Sequence, residues 1–308
     1  MAGLPQVGDQ VAHFTLTGRI AKGGMSTVYR ARDERLGRDV ALKVLSAELS
    51  DDGLFRERFE RESRLAASIS HPNILPIFDA GTWQGYLYIS MLLVEGPDVA
   101  QLLEAGPLEP ARANSIVQQV AAALDAAHAK SLVHRDVKPG NILLLEGAGP
   151  RGADHAYLAD FGLTRHAAST TRLTRPDLVL GTVGYIAPEL LLGHAVDARA
   201  DQYSLACVTY EMLAGEPPFP RETDVVTIAA HLHEPPPRIT RRRPELPSAL
   251  DGIIARGMAK SPDDRFTSAS AFAAAFQAGL RASGVMPLPV GAAAPPDLAA
   301  AHRRTVAF

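Results

Sequence analysis

The chain has 308 residues, 46% of them hydrophobic and 21% charged, with a formal net charge of -3. That balance excludes a nucleic-acid binder working through bulk positive charge, and a single cysteine, Cys207, excludes a disulfide framework or a cysteine-based zinc site. No apolar run reaches the roughly 18–20 residues of a membrane span, and the first residues lack the basic and apolar regions of a signal peptide. The expected location is cytoplasmic, with a membrane tether only if the chain continues beyond Phe308.

Residues 13–45 alternate and are rich in β-branched residues, broken by Gly-Gly and Leu-Gly-Arg turns, which predicts three antiparallel strands. An amphipathic helix is predicted over 52–70, where His-Pro-Asn stops it, followed by strands over 74–79 and 86–93. Beyond residue 95 the chain reads as helical. One helix is predicted over 110–130, opening on a proline and carrying Ile116, Val120, Leu124 and Ala127 at helical spacing. Others are predicted over 201–215, 223–232, 248–259 and 268–280. The expected fold class is α+β and bilobal. A small β-rich lobe with one main helix (1–94) joins a larger α-helical lobe (95–282) through a segment at 92–96, leaving a ligand-binding cleft between them. A Pro/Ala-rich flexible tail is expected over 283–308. No internal repeat is visible.

Several segments carry chemistry. Ile20, Ala21, Lys22, Gly23, Gly24, Met25, Ser26, Thr27 and Val28 lie between two strand-like runs, where glycine lets backbone amides approach phosphate oxygens. By itself this segment reads first as a hairpin turn. Lys43 sits in the apolar run Val40-Ala-Leu-Lys43, ordinarily the solvent-facing member of an alternation. Phe55, Phe59, Glu62, Ala66 and Ile69 share one face of the predicted helix, so Glu62 is a carboxylate on an inward face and needs a cation. Lys43 is the candidate; a rim glutamate meeting water is the plain alternative. The run Val133-His-Arg-Asp-Val-Lys-Pro-Gly-Asn-Ile-Leu143 packs polar residues into a short loop with no good structural reason. Leu158-Ala-Asp-Phe-Gly162 puts a carboxylate at the end of a strand. Gly181-Thr-Val-Gly-Tyr-Ile-Ala-Pro-Glu189 and Asp197-Ala-Arg-Ala-Asp201 precede an apolar helix.

In this order and at this spacing, over about residues 8–280, these motifs resemble the eukaryotic-type protein kinases, most closely the serine/threonine branch found in bacteria. The resemblance implies a protein-kinase-like fold. It also implies signal transduction by transfer of the ATP γ-phosphoryl to Ser/Thr hydroxyls of protein substrates. ATP and Mg²⁺ are the implied cofactors, with Mn²⁺ able to substitute. By it, residues 20–28 cover the phosphates, and Lys43, positioned by Glu62, holds the α- and β-phosphates. Asp136 accepts the hydroxyl proton, Lys138 stabilises the transferred group, and Asn141 and Asp160 ligate the metal. Ile20, Val28, Ala41 and Leu143 sandwich adenine; Met91 is the gatekeeper, and backbone groups of Leu92 and Val94 read the adenine edge. Glu189 pairs with Arg265, and Asp201 braces the catalytic loop. Arg135 beside the base implies a regulatory phosphate at Ser169, Thr170, Thr171 or Thr174, with Thr174 and then Thr171 preferred, placed by autophosphorylation and served by self-association.

Three departures stand out: Ala21 and Ser26 replace glycines of the phosphate loop, Leu92 stands where an acidic residue is frequent, and 146–155 is longer than the usual hairpin, an expected exposed insertion. A pseudokinase scaffold is the alternative that Ala21 favours. A small-molecule phosphotransferase of the aminoglycoside kind shares the fold but lacks the segment after Asp-Phe-Gly and the helices beyond it. Arg241-Arg242-Arg243 reads as a solvated connection, and no nucleic-acid partner is expected.

Overall fold

The structure, a computed structural model, describes residues 4–50, 52–161 and 183–282. The small lobe is one antiparallel sheet of six strands in the order β1-β2-β3-β4-β6-β5. The strands are β1 (Gln10–Val11), β2 (Phe14–Lys22), β3 (Ser26–Asp33), β4 (Arg38–Leu45), β5 (Ile77–Trp83) and β6 (Tyr86–Met91). The alternation of β2 and β3 puts Phe14, Leu16, Tyr29 and Ala31 on one buried face with Val40, Leu42 and Val44 of β4. The short helix α1 (Ala47–Ser50) and the main helix α2 (Gly53–Ala67) cover the other face, where Phe55 and Phe59 meet Leu45, Leu87 and Ile89. Burying each phenyl ring contributes about 1.5–3 kcal/mol. Asp52 caps α2 by accepting from Leu54 N and Phe55 N. The helix stops at Ala67, three residues short of the predicted end, because the Ser68 hydroxyl takes the Leu65 carbonyl.

The strand predicted over 74–79 begins later, at Ile77. Asn73 and Leu75, on either side of Ile74, bond to the large lobe instead: Leu75 N donates to Leu158 O, and Leu158 N donates to Asn73 O. Pro76, with no N–H to give a ladder, separates that link from β5. The strand predicted to reach 93 ends at Met91, where Leu92 N turns to the Pro76 carbonyl.

The large lobe is built around α6 (Ala198–Ala214), buried on nearly every side, against which α4 (Pro110–His128), α8 (Ala249–Gly257) and α9 (Ala269–Ala282) pack. Asp197 caps α6 at its start and Gly215, at φ +80°, ends it. Further helices are α3 (Val99–Leu103), α5 (Pro188–Leu191) and α7 (Asp224–His233). Helix α3 was not predicted, although Asp98 and Gln101 form the capping box their spacing allows. A two-stranded ribbon, β7 (Ile142–Leu145) with β8 (His155–Leu158), lies under the cleft. The insertion that links them is exposed at its tip but tied at both ends, Arg112 of α4 reaching Glu146 at 3.0 Å and Asp154 at 2.7 Å. At the junction of the lobes, a Cβ on Gly96 would run into the Leu144 carbonyl oxygen, so only glycine lets the connecting segment lie on β7.

Candidate active site

The phosphate-loop candidates form a tight hairpin. β2 and β3 stay paired to Lys22 and Thr27, and Gly23 N donates to Ser26 O at 2.8 Å. Gly24 has open space above its Cα, room for a ligand to approach backbone. Met25 does not face that space; it packs beneath the hairpin onto the α2 core, and its carbonyl receives Ser46 N. Thr27 is likewise buried. Ala21 is paired with Val28 in the ladder and has no positive φ, so its Cβ introduces no strain. Ala21→Gly is therefore expected to leave the fold intact and to change KM for ATP only a few-fold; loss of nucleotide binding in a calorimetric titration would show an essential contact by the methyl group.

Behind the hairpin, Val28, Ala41, Met91, Leu92, Val94 and Leu143 join one apolar cluster with Leu75, Tyr157 and Ala159, a slot between the lobes. Ile20 does not belong to it. That side chain is 52% exposed, on the outer part of β2 where the strand runs beyond the packed core. Among the described residues the Leu92 carbonyl and Val94 N–H have no backbone partner, whereas Leu92 N–H is spent on Pro76. An acceptor and a donor two residues apart at the rim of an apolar slot fit the edge of a purine.

Lys43 on β4 is buried, and its ammonium pairs with Asp160 Oδ1 at 2.8 Å rather than with Glu62. The expected Lys43–Glu62 pair is thus absent among the described residues. Asp160 has a left-handed backbone, φ +61°, which aims its carboxylate across the cleft at the lysine. Burial alone would raise the Asp160 carboxyl; the charge and hydrogen bond of Lys43, with Lys138 and His134 nearby, outweigh it and hold the group below its ordinary value. Glu62 does lie on the buried face of α2, as the helical pattern predicts. Burial raises its carboxyl, a shift that the nearby charges of Arg135, Arg61 and Arg58 partly offset.

The catalytic-loop residues converge. Lys138 Nζ donates to Asp136 Oδ2 at 2.7 Å, and Asn141 Nδ2 donates to Asp136 O at 2.7 Å and Oδ2 at 3.0 Å. Because that amide nitrogen serves Asp136, the Asn141 amide oxygen is left as an acceptor. The ribbon places Asn141 beside the strand end that leads into Asp160: Ile142 pairs with Leu158, and Ala159 N donates to Asn141 O at 2.9 Å. One carboxylate and one amide oxygen are hard ligands suited to Mg²⁺, which takes few protein ligands and completes its shell with water and phosphate. No cluster of three or more His, Cys, Asp or Glu with metal-site geometry occurs among the described residues.

Support comes from below. Asp201 accepts His134 N and Arg135 N, each at 2.7 Å, and Arg135 holds the left-handed φ +63°. His134 was not singled out in the sequence. It is fully buried, its Nδ1 receives Asp136 N at 3.2 Å and its Nε2 lies 2.9 Å from Ala159 O. One neutral tautomer satisfies both contacts, and burial lowers its pKa accordingly. Glu189 and Arg265 meet as expected, through two parallel bonds of 2.7 Å. The other Arg265 donors reach the Ala259, Arg199 and Lys260 carbonyls, so the whole guanidinium is satisfied. Of the arginine triplet, Arg242 pairs with Glu216 and Arg243 with Glu245. Gly162, Ser169, Thr170, Thr171, Thr174 and the segment 283–308 lie outside the described residues. No helix among the described residues is long and apolar enough to cross a membrane.

Comparison with known proteins agrees with this geometry. The profile of the family "Protein kinase domain" matches residues 14–277. The chain is 46% identical over 274 residues to "Serine/threonine-protein kinase PknD" of Mycobacterium tuberculosis, covering 88% of this chain and 40% of that protein. It is 45% identical over 282 residues to "Serine/threonine-protein kinase PknJ" of Mycobacterium bovis, covering 91% and 47%. The chain thus spans less than half the length of the curated relatives it matches. The crystal structure of the Mycobacterium tuberculosis PknI kinase domain superposes with a TM-score of 0.72 at 35% identity, covering 89% of this chain and 99% of that one. The chain belongs to the protein kinase family, on the branch of the bacterial serine/threonine protein kinases.

Proposed function

We propose that this domain is an active serine/threonine protein kinase, transferring the ATP γ-phosphoryl to Ser/Thr hydroxyls of protein substrates. The observation that supports it most is the Asp136 carboxylate, oriented by Lys138 and Asn141 and backed by His134, at the edge of the cleft that Lys43 and Asp160 close from above. Asp136 aligns the acceptor hydroxyl and takes its proton as the oxygen bonds to the γ-phosphorus, while the bond from that phosphorus to the β–γ bridging oxygen breaks and ADP leaves. Lys138 places positive charge where the transferred oxygens carry negative charge, and Lys43 holds the remaining phosphates. Asp160 and Asn141 would hold Mg²⁺, which when bound would neutralise charge on the phosphates. The apolar slot around Ala41, Met91 and Leu143 takes the base. Ala21, the sole feature favouring a scaffold without chemistry, pairs with Val28 just past a register shift in the β2–β3 ladder and has no positive φ, so its methyl group gives that alternative no support.

Regulation follows from charge. A phosphate at Thr174, Thr171, Thr170 or Ser169 would carry about −1.5 to −2 and compete with Glu62 for Arg135, leaving Glu62 to Lys43, the pairing protein kinases use when active. Self-association would let one copy phosphorylate another. Incubation with labelled ATP and Mg²⁺, with and without a generic protein acceptor, followed by peptide mapping, is expected to show label on the acceptor and within 169–174, with higher activity afterwards. Full activity with no phosphate in that window would remove the switch and leave the kinase; no label on any protein would remove the kinase.

A further inference from the structure

Between α6 and α7 lies a buried histidine that the catalytic site does not use. His231, on the last turn of α7, is fully buried, and its Nδ1 lies 2.8 Å from the Tyr203 hydroxyl on α6. The Phe219 ring stands nearly perpendicular to the imidazole, centroids 5.0 Å apart, and Lys260 Nζ donates to the His231 carbonyl at 2.7 Å. Ring and backbone are both held. Nε2 faces the backbone of Gly184 but has no partner in hydrogen-bond geometry among the described residues. Gly184 is the middle residue of the 3₁₀ turn Val183–Tyr185, which packs on α7. One end of that turn is pinned to α6: the Tyr185 hydroxyl donates to Glu211 Oε2 at 2.6 Å, and Ser204 Oγ donates to the Tyr185 carbonyl at 2.7 Å. The bond that closes the turn, from Ile186 N to Val183 O, is long at 3.4 Å. A Cβ on Gly184 would meet only Pro217, at 3.9 Å, so the middle of the turn has room to move. Ser204 stands one turn along α6 from Asp201, which holds His134 N and Arg135 N, so the turn lies beside the loop that carries Asp136.

We propose that His231 is a positioning residue for the protein substrate: its Nε2–H bonds to the Gly184 carbonyl when an acceptor segment rests on the turn Val183–Tyr185. The proposal rests on the kinase reading given above. Buried N–H groups without a partner are rare in folded proteins, because each forgoes its hydration and gains nothing in return. Tyr203 directs the proton of this one. A phenol that donates to Nδ1 leaves the proton of the neutral ring on Nε2. Burial and the charge of Lys260 lower the His231 pKa to about 4, so the ring is neutral at physiological pH. The Gly184 backbone favours the protonated ring, which identifies the group it presents as its carbonyl. Donor and acceptor thus face each other across a gap. An acceptor hydroxyl that reaches Asp136 brings its flanking residues onto the turn beside that loop, and pressing Gly184 towards α7 closes the gap. Glu211 and Ser204 fix Tyr185, so the movement is confined to Val183 and Gly184. A bond made only in the complex favours the complex, since a ligand shifts an equilibrium by its differential interaction with the two states.

His231→Phe keeps an aromatic ring and removes both nitrogens; His231→Gln returns an amide N–H near the Nε2 position. With myelin basic protein as the acceptor, Phe is expected to raise KM for that protein about three- to tenfold, the worth of one neutral hydrogen bond, while kcat and KM for ATP stay within about twofold. Gln should recover most of that loss. In wild-type protein labelled with ¹⁵N-histidine, the ring shifts of His231, assigned by their disappearance from the Phe variant, should report the Nε2–H tautomer. Saturating acceptor should move that proton downfield. An acceptor KM unchanged in the Phe variant overturns the proposal, and so does a ring proton found on Nδ1. A Gln variant as impaired as Phe would make ring shape the determinant and also overturns it. A rise of both KM values with a fall in kcat would mark a general structural role and rejects it too. If the Phe variant does not fold, Gln serves for the assignment, and the tautomer with the movement of its proton decides. Wild-type protein that labels no acceptor would remove the kinase reading and this proposal with it. Normal turnover with an acceptor KM insensitive to position 231 would remove the proposal alone.

Discussion

Asp136→Asn is expected to lower kcat by about 10²–10⁴-fold, the usual contribution of a positioned base, equivalent to about 3–5 kcal/mol of barrier. The amide keeps an oxygen in the place where Lys138 and Asn141 donate, so the loop retains its shape and only the proton acceptor is lost. ATP affinity, measured by calorimetry, should stay close to wild type, since the apolar slot and Lys43 are untouched. Lys43→Met should also abolish turnover, because it removes both the phosphate ligand and the cation facing Asp160. An Asp136→Asn enzyme that keeps more than about a tenth of wild-type kcat would show that another group takes the proton.

The second large effect is on stability. Arg265→Ala leaves the Glu189 carboxylate buried without its cation and strips the Ala259, Arg199 and Lys260 carbonyls of their donor. Breaking one side of such a pair destabilises by about 3–5 kcal/mol, a large part of the 5–15 kcal/mol that a folded domain has in total. Arg265→Lys should recover little, since a point charge cannot reproduce two parallel bonds and three further donors. Replacing both Glu189 and Arg265 by leucine should be milder than Arg265→Ala, because no buried charge is stranded. Urea denaturation provides the measurement: a shift of the midpoint worth less than 1 kcal/mol for Arg265→Ala would mean that water reaches Glu189.

Much of this domain is legible in one dimension. The period-two alternation of residues 13–45 and the helical spacing on α2 and α4 record which side chains face inward, and that is a local property of the chain. The candidate catalytic residues are legible too, since Asp136, Lys138 and Asn141 stand in one short motif whose family resemblance assigns them roles. Even Glu62 is read correctly as buried, from its place on the apolar face of α2. Which cation a buried carboxylate meets is a different kind of fact. The choice of Asp160 over Glu62 by Lys43 depends on where α2 sits and on a left-handed backbone at Asp160, neither of which periodicity encodes. Ile20, expected as one wall of the adenine slot, is exposed, and the strand's alternation does not tell that β2 runs past the packed core there. Ile74 and Leu75 read as strand, but Leu75 N bonds to Leu158 of the other lobe and Ile74 N closes a turn onto His71 O. His231 and Tyr203 lie 28 positions apart, and a lone histidine at the end of a helix announces nothing. Burial patterns repeat along the chain at fixed intervals and can be read from it. Charge pairing depends on distances of a few ångströms between segments far apart in sequence, and only the packed structure sets those distances.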